Sequence, residues 1–91
     1  MKNLAELTFT VQIFKEGNVY VSYNPEIDVS SCGETVEQAK NNLKDALRGF
    51  LKSAYKMGTM EEILSEAGYI HKKQKWFDPQ LLVLDRFSLK V

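Results

Sequence analysis

Glu26, Asp28, Glu34 and Asp85 are the side chains from which metal-assisted hydrolysis would be built in this chain. Such chemistry needs several carboxylates converging on paired magnesium ions. No acid falls between Leu7 and Phe14, the most strand-like run, so the middle of a sheet would carry none. Surface carboxylates of this number are also expected in any soluble chain. Cys32 precedes a helix start, a position that favours thiol reactivity, but nucleophilic use requires a base. His71, the single histidine, stands in a separate lysine-rich stretch. As the only cysteine, Cys32 excludes an intrachain disulfide and a zinc site of several thiolates. His71-Lys72-Lys73-Gln74-Lys75-Trp76-Phe77 sets basic residues before aromatics. That combination can clamp phosphates and stack bases, or can be a solvated loop whose aromatics cover a core edge.

Ninety-one residues give room for one hydrophobic core and one domain. Apolar residues at 44% and charged residues at 26% fit a folded globular chain. Twelve basic and twelve acidic side chains cancel, which removes any bulk attraction to nucleic acid or anionic membrane and eases self-association. Met1-Lys2-Asn3-Leu4 leads into alternating residues without the apolar core of a signal peptide. No apolar run reaches the roughly 20 residues of a membrane span. The expected location is the cytoplasm.

The elements that would position these groups follow from periodicity. Leu7, Phe9, Val11 and Ile13 alternate with polar residues and predict a strand. Glu16-Gly17-Asn18 supplies a turn, and residues 19–23 a second strand, so the two form a hairpin. Asn24-Pro25 ends it, and a short third strand is expected at residues 29–31. Thr35 with Gln38 forms a capping box for a helix over residues 36–56. Val36, Ala39, Leu43, Ala46, Leu47, Phe50, Leu51 and Ala54 share one stripe of it, interrupted by Lys40. Gly58 closes that helix, and Thr59 with Glu62 opens a short one ending near Gly68. Residues 71–79 read as a loop with an aromatic anchor, and residues 81–91 as a C-terminal strand interrupted by Asp85.

The run from Val19 to Ala39, above all Gly33-Glu34-Thr35 and Glu37-Gln38-Ala39, resembles the signature of HicB-like antitoxins. The pieces have a local logic: glycine permits the turn, threonine caps, and acidic residues favour the positive end of the helix dipole. The resemblance covers roughly residues 5–56. It implies a partial ribonuclease H-like arrangement of three antiparallel strands, a helix and a further strand. It also implies neutralisation, by direct binding, of a HicA-type ribonuclease toxin that cleaves mRNA. Many such antitoxins append a DNA-binding domain; here the reading ends in a strand, so direct DNA binding is not expected.

The expectation is therefore one α+β domain over residues 1–91: a three-stranded antiparallel sheet, a long amphipathic helix, a short helix and a C-terminal strand. It is a binding module and not an enzyme, with no catalytic, cofactor-binding or metal residue, and a homo-oligomer, dimer or tetramer. If Phe9, Val11 and Ile13 face the core, Phe14 faces outward, joined by either Tyr20 or the set Val19, Val21 and Tyr23. Aromatics on an open sheet face mark interfaces, so Phe14, Tyr20, Tyr23 and Trp76 are the candidate partner-binding residues. The alternatives are a stand-alone homo-oligomer of unknown ligand and a minimal metal-dependent nuclease.

Overall fold

A computed structural model describes residues 6–91; residues 1–5, with the N-terminal run weighed above for a signal peptide, lie outside them. The fold is α+β. Strands β1 (Gln12–Glu16), β2 (Val19–Asn24) and β3 (Val29–Gly33) form an antiparallel sheet in that order, and helices α1 (Val36–Met57) and α2 (Met60–Glu66) follow. A separate hairpin of β4 (Ile70–Lys72) and β5 (Lys75–Phe77) completes the elements. No helix among the described residues is long and apolar enough to cross a membrane.

The first hairpin turns on two residues, with Glu16 opposite Val19. Gly17 leads the turn at φ 60°, the glycine-first geometry that matches the twist of the flanking strands. That turn fixes the register: Phe14 lies opposite Val21, and Ile13 opposite Ser22. Residues 7–11 have no ladder partner, so the strand expected from Leu7 begins as β1 only at Gln12. Side chains hold the unpaired run instead. The Thr10 N–H donates to Glu26 Oε1 at 2.6 Å, and Asn24 Nδ2 donates to the Thr10 carbonyl at 2.9 Å and to Glu26 Oε1 at 2.7 Å. Asn24 is fully buried, and its Oδ1 accepts from the Ile27 N–H at 3.0 Å.

Helix α1 covers one face of the sheet. Thr35 caps it, its Oγ1 accepting from the Gln38 N–H at 3.0 Å. The return bond reaches one residue further out than a capping box requires, from the Glu34 N–H to Gln38 Oε1 at 2.6 Å. Ala39, Leu43, Leu47 and Ala54 are buried, whereas Val36 and Phe50 of the expected stripe stay exposed. The approach at the N-terminal end is close: a Cβ on Gly33 would stand 2.6 Å from the Ala39 nitrogen, so only glycine fits. Buried Ser22 sits under the same turn and donates to the Ala39 carbonyl at 2.8 Å.

Gly58 ends α1 at φ 77°, as the sequence predicts. Thr59 makes no side-chain cap bond to α2; its hydroxyl points back to the Ala54 carbonyl of α1. After α2, Tyr69 enters the core and is 2% exposed. Its ring lies 5.4 Å from that of Phe9, and its hydroxyl donates to the Thr8 carbonyl. The C-terminal strands lie elsewhere than expected. Residues 71–77, expected as part of a loop, belong with Ile70 to the β4–β5 hairpin, while residues 81–91 form no ladder with any described residue and are exposed throughout. Their alternating pattern is that of a strand, but pattern cannot supply a neighbouring edge.

Candidate partner-binding surface

Residues opposite one another in an antiparallel pair project to the same face. Ile13, Ser22 and Ser31 are in register and face α1. The next rank, Phe14 opposite Val21 opposite Cys32, therefore faces away. Val19 and Tyr23 lie on that face too, and no described helix covers it. Phe14 is 51% exposed and Val19 41%, and Val21 and Tyr23 are half-buried.

The four residues singled out from the sequence thus fall in three places. Phe14 and Tyr23 share the open face. Tyr20 projects to the helix side opposite Lys15, whose ammonium lies 6.0 Å from its ring centroid. Trp76 belongs to β5, half-buried and stacked on His71 with centroids 4.5 Å apart and planes 9° from parallel. Val21 and Cys32 were not named from the sequence as contact residues. A signal for Val21 was present, since a two-residue turn at Gly17-Asn18 sets Phe14 beside it.

On the open face the Tyr23 hydroxyl donates to Asp28 Oδ1 at 2.9 Å. That bond is the main cause holding the phenol above its ordinary value near 10, with desolvation and the Asp28 charge adding to it. Asp28 itself occupies left-handed backbone at φ 57°, a conformation aspartate tolerates in turns. Cys32 is exposed, and its carbonyl accepts from Asn42 Nδ2 at 2.8 Å.

The acidic residues are engaged separately. Glu26 serves Thr10 and Asn24, Asp28 serves Tyr23, and Asp85 accepts from the Arg86 N–H. Among the described residues no three His, Cys, Asp or Glu side chains form a group able to hold a metal ion. Glu26 and Asp28 do line a shallow hollow of about 300 Å³ against Ile63 and Glu66 of the α2 region. The lysine-rich turn carries its charge at the tip of the β4–β5 hairpin, where residues 72–75 are exposed. His71 Nδ1 lies 3.3 Å from Glu61 Oε1, which ties that hairpin to α2. Comparison with family models, curated proteins and solved structures finds no match to this chain.

Proposed function

We propose that this chain is a HicB-like antitoxin module that binds a small mRNA-cleaving HicA-type toxin and occludes it, acting in the cytoplasm as a homo-oligomer and performing no reaction itself. The observation that carries the reading is the open rank of Phe14, Val21 and Cys32, flanked by Val19 and Tyr23. A contiguous apolar and aromatic face of this kind is uncommon on a monomer unless something binds there. The residues that carry the family resemblance support the reading in a second way. Asn24, Glu26, Gly33 and Thr35 serve the fold, which leaves the open face for recognition.

The test is co-expression with the product of the neighbouring reading frame. The two proteins are expected to co-purify, and Phe14→Asp should weaken the complex by about 2 kcal/mol, roughly thirtyfold in Kd, as for a central contact residue. Circular dichroism of that variant should remain that of the parent, because Phe14 is outside the core. Failure to co-purify, or undiminished binding by Phe14→Asp, removes the reading. A stand-alone homo-oligomer is the second reading, favoured by the exposed apolar residues 81–91; self-association without capture of the neighbouring product would select it.

A further inference from the structure

Among the described residues, two strand components lie without a pairing partner. The first is the outer edge of residues 7–15. In extended chain, successive residues turn their N–H and C=O groups to opposite edges. Thr8 and Thr10 direct theirs inward: the Thr8 N–H to Asp78 Oδ1 at 2.9 Å, the Thr8 carbonyl to Tyr69, and both Thr10 groups to Glu26 and Asn24. Gln12, Phe14 and Glu16 continue that side toward β2. Leu7, Phe9, Val11, Ile13 and Lys15 therefore present their backbone groups to the far edge, where no described residue hydrogen-bonds them. Leu7, Phe9, Val11 and Ile13 are only half-buried, because the sheet stops beside them.

The opposite edge of the sheet is less available, since Asn42 of α1 occupies the Cys32 carbonyl. The second component is the arm of residues 81–91. It carries seven large apolar side chains, all at least 63% exposed, with Val83, Phe87, Leu89 and Val91 in one strand phase. An unprotected edge this long is a template for strand addition, and here the chain also supplies a strand of matching length.

We infer that the arm of one copy adds as a strand to the outer edge of residues 7–15 in a second copy, reciprocally, giving a dimer by arm exchange. The root of the arm explains why the exchange is between copies. Asp78 is bonded to the inward side of Thr8, and Pro79 packs 3.5 Å from the position a Gly68 Cβ would take. The arm therefore departs from the inward side of residue 8, opposite the outer edge. Reciprocal exchange is closed by a two-fold axis, so it consumes both edges and stops at two. Two arms of this composition offer apolar area of the order needed for a stable interface of roughly 1,600 Å². The inference deepens the oligomeric part of the reading above and needs no toxin, so either can fail without the other.

The test uses the full chain. In a Cys32→Ser background, one tagged population carries Val11→Cys and a second, differently tagged, carries a cysteine at Val83, Phe87 or Leu89 in turn. After mixing and treatment with a short bis-maleimide, cross-linked heterodimers are expected for at least one arm position. Sedimentation of the unsubstituted protein should report a dimer, and Val83→Asp with Leu89→Asp should convert it to a folded monomer, since both residues are solvent-exposed in the fold. A monomer at all concentrations overturns the inference. So does a dimer that survives the double substitution, an absence of cross-linking between the Val11→Cys population and every arm-cysteine population, or arm-to-arm cross-linking alone.

Discussion

Tyr69 does more for the core than its place at the edge of a polar stretch suggests. Its ring meets Phe9 and its hydroxyl satisfies the Thr8 carbonyl, so one side chain ties the end of α2 to the unpaired run before β1. Burial, with the charges of Glu26 and Asp78 behind it, pushes the phenol far above its ordinary value near 10. The folded state then keeps a proton that the unfolded chain releases above about pH 10. Its contribution is complete below that pH and is lost as pH rises further. Tyr69→Phe should cost about 1–2 kcal/mol at neutral pH, for a lost hydrogen bond to a partly buried acceptor. Urea denaturation at pH 7 and near pH 11 should show the parent losing its advantage over this variant at the higher pH. Tyr23 shifts in the same direction through its bond to Asp28, so Tyr23→Phe is the control. The alternation of residues 7–13 put Phe9 on the side that meets Tyr69, half-buried at the edge of the core. Nothing local marked Tyr69, Asn24 or Glu26 as its supports, because their partners lie across the fold.

At the scale of elements, α1 was legible from end to end. Its cap at Thr35, its stripe and its Gly58 stop are local devices, and the observed Val36–Met57 follows them. The β4–β5 hairpin was not. Its turn residues Lys73 and Gln74 both hold positive φ, 53° and 64°, the geometry that Asn-Gly ordinarily signals. Two long side chains in that conformation are held there by the pairing of Ile70 with Phe77 and His71 with Trp76, and by the His71–Trp76 stack. Left-handed backbone is costly for a residue with a Cβ. Gln74→Gly should therefore stabilise the protein by about 1 kcal/mol, raising Tm by roughly 5 °C in calorimetry.

For the whole molecule, the described fold is elongated, with a radius of gyration of 15.1 Å and extents of 45 × 29 × 19 Å. A compact chain of this length has a radius near 12 Å. The exposed arm agrees with that shape. If arms are exchanged, folding and association are linked, and Tm should rise with protein concentration in the parent. Val83→Asp with Leu89→Asp should abolish that dependence, and a calorimetric series over two decades of concentration measures both.

Composition, periodicity and caps determined the α+β class, the order of sheet and helices, and the outward phase of Phe14. Each of these depends on residues a few positions apart, where spacing alone constrains geometry. The tertiary structure decided that Val19, Val21 and Tyr23, and not Tyr20, join Phe14 on the open face, since strand register chooses between the two phases. It also decided that residues 81–91, patterned as a strand, have no edge to pair with among the described residues. Alternation specifies the faces of a strand, whereas pairing depends on which backbone edge comes within reach, a property of the fold and of its neighbours in space.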